Sequence, residues 1–167
     1  MAKTYLALGS NLGDRMEYLQ GAVDMLPSPK RCSRIYQTLP VDSPVDAGPF
    51  LNAVVEIEFQ PDAARLLELV GRIEEEAGRV RLVRNGPRTL DVDVIYVTGF
   101  NSNVPELTIP HPRARERGFV IAPLLDLNRE AALELSPALV NLIENSVRSE
   151  PEILPGVSLY SSSLSCE

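Results

Sequence analysis

Asp91 and Asp93 stand two residues apart in the run Arg88-Thr89-Leu90-Asp91-Val92-Asp93-Val94-Ile95-Tyr96-Val97. The run is rich in β-branched and aromatic residues, lacks Gly and Pro, and reads as a strand. Side chains alternate across a strand, so the two carboxylates share one face while Leu90, Val92 and Val94 share the other. Strand residues at i and i+2 lie roughly 6.5–7 Å apart. Like charges at that separation repel by about 2 kcal/mol at an effective dielectric of about 20. A cation between them relieves the repulsion, and carboxylate oxygens suit a hard divalent ion such as Mg²⁺.

Just upstream, Arg79, Arg81, Arg84 and Arg88 place four positive charges in ten residues with no acid among them, in a chain whose formal net charge is -7. Guanidinium groups match phosphate oxygens in a fork geometry. Any one of these arginines is accounted for by a solvated loop, or by pairing with Glu74, Glu75 and Glu76. Four of them leading straight into two same-face aspartates point to a polyphosphate. A metal clamp beside arginines is the recurring equipment of phosphoryl transfer. The Asp-x-Asp triplet is weak by itself, since it also occurs in nucleotide-sugar transferases and on solvated strands. Gly86-Pro87 fixes a turn that holds arginines and aspartates in constant relation.

His111, the one histidine of the chain, lies between Pro110 and Pro112, which stiffen the segment. A helix start at Arg113 favours anions, so the ring reads as a phosphate contact rather than a general base. Gly9-Ser10-Asn11-Leu12-Gly13-Asp14 lacks the Lys-Ser/Thr ending of a Walker loop and reads as a turn and helix start.

These residues need a scaffold, and the periodicities supply one. Strands are expected over residues 3–8, 32–38, 50–59 and 88–97. A helix follows Asp14 as far as about Leu26, with Leu12, Met16, Leu19, Val23 and Leu26 on one face. Pro27-Ser28-Pro29 stops it. A second helix opens at Pro61-Asp62, with Leu66, Leu67, Val70, Ile73 and Ala77 inward and Gly78 as its C′ residue. The proline-broken segment 39–49 is a loop. The order β-α-β-β-α-β is the split pattern of an α+β, ferredoxin-like sandwich with an antiparallel sheet. Two helices cover one face of it, which leaves the face with Asp91, Asp93 and Asn52 free to be a site. C-terminal helices are expected at about 113–125 and 137–147. Residues 1–147 then form one domain, and the serine-rich tail 148–167 is mobile or loosely docked.

The length of 167 residues fits one such domain. With 23 acidic against 16 basic residues, the chain is a poor candidate for nucleic acid or a membrane surface, both of which are anionic. Cys32 and Cys166 have no metal-ligand spacing and lie far apart, so both read as reduced thiols of a cytoplasmic protein. No h-region of a signal peptide and no bilayer-length apolar run is present.

Five blocks carry a family resemblance. They are Ala7-Leu8-Gly9-Ser10-Asn11-Leu12-Gly13-Asp14, Phe50-Leu51-Asn52-Ala53, Gly86-Pro87-Arg88-Thr89-Leu90-Asp91-Val92-Asp93, Leu107-Thr108-Ile109-Pro110-His111-Pro112 and Arg117-Gly118-Phe119. In this order, over residues 4–127, the chain closely resembles the 6-hydroxymethyl-7,8-dihydropterin pyrophosphokinases of folate synthesis. The third block is highly specific for them. The resemblance implies an ATP-dependent diphosphotransferase: the pterin hydroxymethyl oxygen attacks the β-phosphorus of ATP, pyrophosphate transfers as a unit, and AMP leaves. It implies two Mg²⁺ ions on Asp91 and Asp93. Arg79 and Arg88 would lie on the transferring phosphates, and Arg81 and Arg84 on a loop that closes over ATP. Glu74, Thr108, His111 and Arg117 would belong to the ATP site, and Thr38, Val41, Phe50, Asn52 and Phe119 to the pterin pocket. A flat bicyclic pterin suits aromatic faces and paired polar groups at its amide edge. The implied partners are ATP and the pterin, with no nucleic acid and no membrane, on a monomeric chain. The chain departs from many members in having Asn85 where a tryptophan is common, Leu39 where a proline is common, and a loop one residue shorter than in some.

Two other readings stay open at this level. One is a non-catalytic ferredoxin-like binding module, which has no need of two aspartates facing four arginines. The other is a different nucleotide-dependent transferase using the same Asp-x-Asp pair.

Overall fold

The computed structural model describes residues 1–39, 48–78, 89–146 and 152–167. Strand β1 (Ala2–Ser10) lies antiparallel between β4 (Phe50–Phe59) and β5 (Asp91–Val97). On the other side of β4 come β2 (Lys30–Cys32) and β3 (Tyr36–Thr38), both antiparallel to it. Helix α1 (Arg15–Met25) connects β1 to β2, and α2 (Ala63–Glu76) connects β4 to β5. With β2 and β3 taken as one interrupted strand, this is the expected βαββαβ antiparallel, ferredoxin-like core.

Helices α1 and α2 each begin where the sequence provides a cap. Asp14 accepts from the Glu17 N–H at 3.0 Å, and Asp62 accepts from the Arg65 N–H at 3.0 Å, satisfying donors the first turn leaves unpaired. Helix α2 buries Leu66, Leu69 and Ile73, an i, i+3, i+7 stripe. It ends at Gly78, whose φ of 65° suits the left-handed C′ position. Leu12 precedes α1 and is exposed rather than part of its buried face. With α1 and α2, Leu6, Leu8, Leu51, Val55, Ile57, Val92 and Val94 form the first core.

The expected second strand is broken at residues 33–35. Ser33 donates its backbone N–H to the Val54 carbonyl at 2.9 Å and accepts the Val54 N–H on its hydroxyl at 2.9 Å. The break sets both Cys32 and Ile35 against the first core, which strict alternation forbids for residues three apart. β5 has a similar irregularity near Ile95, which returns Val97 to the first core.

The opposite face of the sheet is free only in part, because helices cover the rest of it. A three-residue 3-10 turn (Ala114–Glu116) leads into α3 (Gly118–Leu127), α4 (Arg129–Leu135) and α5 (Pro137–Asn145). These pack on Tyr5, Tyr36, Val54 and Ile95 as a second core. The single helix expected near 113–125 is thus a 3-10 turn followed by a helix, and α4, begun by the Asn128 cap on the Ala131 N–H at 3.1 Å, was not expected. Buried hydroxyls bind this layer to the sheet. Tyr36 donates to Asp126 at 2.9 Å, and Tyr5 donates to Glu56 at 2.7 Å while accepting from Asn128 at 2.8 Å. Burial foremost pushes the Tyr5 hydroxyl up to about 12.

The tail also differs from expectation. β8 (Glu152–Leu154) and β9 (Val157–Leu159) form a hairpin, and β9 extends the sheet by pairing with β3. Beyond it Leu164 enters the first core, and Cys166 is disulfide-bonded to Cys32. The two cysteines are therefore not free thiols, and the inference of a reduced, cytoplasmic chain drawn from them no longer stands. The described part of the tail belongs to the same sheet as the rest of the domain. Among the described residues, no helix is long and apolar enough to cross a membrane.

Candidate active site

Where α3–α5 leave the sheet uncovered, a cleft of about 600 Å³ opens over the ends of β1, β4 and β5. Strand register fixes its floor. Gly9 pairs with Asn52 on one side and with Asp91 on the other, and Ala7 pairs with Val54 and Asp93. Paired residues share a face. The carboxylates therefore flank one side of a strip made of Gly9 and Ala7, with Asn52 on the other. Neighbouring strands lie about 4.8 Å apart, so the Asp91 and Asn52 backbones are about 10 Å apart with no bulky side chain between them. A Cβ on Gly9 would stand 3.3 Å from Asn52 Oδ1 and 3.7 Å from the Phe50 ring. Glycine keeps this floor clear.

Asn52 is almost fully buried, and its Nδ2 donates to Thr38 Oγ1 at 2.9 Å. That bond fixes which way the amide points. Phe50 faces Thr38 across the β3–β4 ladder. Phe119 comes from the first turn of α3, and the Arg117 guanidinium carbon lies 5.8 Å from its ring centroid. Thr38, Phe50, Asn52, Asp91, Asp93, Arg117 and Phe119 all line the one cleft, although they come from four separate stretches of chain.

Asp93 is the electrostatic centre of the described site. Arg117 Nη1 is 3.8 Å from one of its oxygens and His111 Nε2 is 4.0 Å from the other. His111 is held from both sides. Its backbone N–H donates to the Ile95 carbonyl at 3.0 Å, and its Nδ1 accepts the Arg113 N–H at 3.2 Å. With Nδ1 accepting, a neutral ring carries its proton on Nε2, towards Asp93. Burial is the main cause of a lowered His111 pKa, and the Asp93 charge works against it. The helix start expected beside His111 is the short 3-10 turn, so the ring's environment is set by the aspartate rather than by a helix dipole. No sequence signal marked a carboxylate partner for this histidine, because the partnership depends on β5 meeting the 109–113 segment.

Other expected residues fall outside the cleft lining. Glu74 reaches from α2 to the outer edge of β5 and accepts the Val92 N–H at 2.9 Å. Thr108 sits in β7 (Leu107–Ile109), paired with β6 (Ser102–Val104), and its hydroxyl donates to the Val104 carbonyl at 3.3 Å. Arg79, Arg81, Arg84, Arg88 and Val41, with Asn85, lie outside the described residues. Sequence reasoning missed the floor residues Ala7 and Gly9, and the wall formed by Leu154 to Val157. Alternation along β1, aligned with that along β5, would have revealed the floor. Nothing local marks the wall.

The profile of the 7,8-dihydro-6-hydroxymethylpterin-pyrophosphokinase (HPPK) family matches residues 5–129. The chain is 43% identical over 139 residues to the 2-amino-4-hydroxy-6-hydroxymethyldihydropteridine pyrophosphokinase of Bacillus subtilis, covering 80% of this chain and 83% of that protein. It is 35% identical over 158 residues to the protein of the same name from Methylorubrum extorquens, covering 86% of this chain and all of the other. Among solved structures it is similar to a Plasmodium falciparum HPPK-DHPS triple mutant with pteroate. That likeness has a TM-score of 0.63 at 14% identity, over 95% of this chain and 46% of the other, and it speaks to the fold. The profile match and the two bacterial relatives together show that this chain belongs to the 7,8-dihydro-6-hydroxymethylpterin-pyrophosphokinase family.

Proposed function

We propose that this cleft carries out the family's reaction, pyrophosphoryl transfer from ATP to the hydroxymethyl group of 6-hydroxymethyl-7,8-dihydropterin in folate synthesis, with release of AMP. The observation that carries the reading is the pairing of two walls across a floor of Ala7 and Gly9. Asp91 and Asp93 stand on one, and Phe50 with the Asn52–Thr38 hydrogen-bonded pair on the other.

The donor set fits Mg²⁺. Among the described residues no group of three or more His, Cys, Asp or Glu could cage a metal ion. Mg²⁺ ordinarily takes one or two carboxylates and completes its sphere with water and substrate phosphate oxygens. Asp91 and Asp93 would hold it, two ions being the family expectation. Bound there, it would neutralise phosphate charge and lower the pKa of the attacking hydroxyl.

The chain's own residues bind and orient the two substrates. Asn52, fixed by Thr38, presents its amide to the polar edge of the pterin, and Phe50 and Phe119 offer faces to the ring. Val41 belongs to the same pocket in this reading. The hydroxymethyl oxygen then bonds to the β-phosphorus as the bond from that phosphorus to the α,β-bridging oxygen breaks. AMP leaves with that oxygen, and the hydroxyl proton is released. Arg117 and His111, on the carboxylate side, are assigned to ATP phosphates, with Arg79 and Arg88 on the transferring group and Arg81 and Arg84 closing over it. Glu74 supports the site by bracing β5, and Thr108 belongs to the nucleotide side. A single chain acting in the cytoplasm, a location that rests on the requirement for ATP and not on the cysteines, completes the reading.

Incubation of the chain with ATP, Mg²⁺ and the hydroxymethyl dihydropterin tests it directly. One AMP per pterin diphosphate is expected. Release of ADP, or no turnover, overturns it.

A further inference from the structure

The cleft wall opposite the catalytic strand is built by residues beyond position 129, where the family match ends. β9 lies against β3 with Val157 directly across from Thr38, on the face that Asn52 occupies. The hairpin turns at Gly156, with φ 75°, and the Gly156 N–H donates to Glu152 Oε1 at 2.9 Å. On the far side, Leu154 lies over the start of α3. A Cβ placed on Gly118 would stand 2.6 Å from Leu154 Cδ1. One leucine thus spans from the hairpin beside Thr38 to the backbone between Arg117 and Phe119.

The hairpin is firmly held. Tyr160 N–H donates to the Ile35 carbonyl at 2.9 Å. Gln20 exchanges two hydrogen bonds with the Ser165 backbone, at 3.0 and 2.9 Å, and the disulfide follows. An apolar wall paired to β3 and held from its C-terminal side can set the width of a slot, whereas a fraying one cannot.

We propose that Leu154 is a specificity-determining residue for the pterin, forming the apolar wall that sets the slot width beside Asn52 and Phe119. The proposal rests on the reading that this cleft binds the pterin. A flat heteroaromatic ring gains affinity from apolar contact and from exclusion of water along its faces. ATP phosphates, assigned to the Asp91–Asp93 side, gain nothing from this leucine. Leu154 therefore acts on one substrate and not on the other.

The test uses the full-length enzyme, with steady-state AMP release read against each substrate in turn and Tm recorded for each variant. Leu154→Ala is expected to raise the pterin KM about 10-fold, the usual worth of a few methylene contacts, while leaving the ATP KM and kcat within about two-fold of wild type. Leu154→Met should restore most of the loss. Should Leu154→Ala not fold, Leu154→Val reads the same split at smaller amplitude. A double-mutant cycle gives an independent arm: Gly118→Ala should raise the pterin KM by pushing on Leu154, and should do so far less in the Leu154→Ala background. An unchanged pterin KM in Leu154→Ala, or equal losses for both substrates, overturns the proposal while wild-type turnover leaves the reaction assignment intact. A wild-type chain that makes no AMP overturns the assignment itself.

Discussion

Replacing Asp93 by asparagine separates what its carboxylate does for the fold from what it does for the chemistry. Among the described residues, Asp91 and Arg117 act on it in opposite directions. Repulsion from Asp91, roughly 6.5–7 Å away on the same strand face, is about 2 kcal/mol at an effective dielectric of about 20. Attraction to Arg117 at 3.8 Å is about 4 kcal/mol on the same scale. These side chains are 34% and 25% exposed, and solvent screening reduces such a pair to about 1 kcal/mol. The repulsion shrinks in the same way. The balance is within about 1 kcal/mol, which in a domain of this size moves Tm by no more than about 4 °C. Chemistry has no such compensation, because an amide brings no negative charge to a divalent ion between phosphates. Loss of that ligand should remove about 3 kcal/mol or more of transition-state stabilisation, a fall in turnover of about 100-fold or greater. Nucleotide affinity, shared among several arginines, should change only a few-fold. The assay is AMP release at saturating substrates with Mg²⁺ titrated, beside thermal unfolding and titration with a fluorescent ATP analogue. Near-normal turnover refutes the metal role. A Tm loss above about 10 °C refutes the electrostatic balance drawn from the structure.

Three further outcomes follow from particular contacts. Asn52→Ala removes the Nδ2 bond to Thr38 Oγ1 and should raise the pterin KM much more than the ATP KM, at about 1–2 kcal/mol of stability; KM values moving together would count against the assignment. Tyr5→Phe leaves Asn128 and Glu56 without the hydroxyl they share, and urea unfolding should show a loss of about 1–3 kcal/mol; an unchanged midpoint would mean that water or another partner fills the place. Cys166→Ser opens a link between residues 134 apart in sequence, for which the chain-entropy model gives up to about 5 kcal/mol. Unfolding midpoints should fall both in this variant and in wild type treated with a dithiol reductant, and identical midpoints with and without reductant contradict the bond.

What could be read from the sequence were features written within a few residues of one another. The Asp14 and Asp62 caps, the Leu66 to Ile73 stripe and the positive-φ glycine at 78 all lie within one or two turns of the helices they define. Alternation along β5 put Asp91 and Asp93 on one face, because a two-residue period needs no tertiary information. The helical cover over the rest of the site's sheet face was not legible, for the complementary reason. Val54, Tyr5 and Tyr36 lie on that face, and the helices that cover them lie more than 60 residues further along the chain.

The sequence by itself determined the βαββαβ order, the acidic pair and the family to which those blocks belong. Only the tertiary structure decided that Gly9 clears the floor between Asp91 and Asn52, that His111 turns its Nε2 to Asp93, and that the tail is a wall pinned by Cys32 and Cys166. The division has one physical cause. Caps, turns and periodicities are local preferences of a few residues. Which residues face one another across a cleft is set by strand register and helix packing, and contacts that join distant parts of the chain leave no mark on the residues beside them.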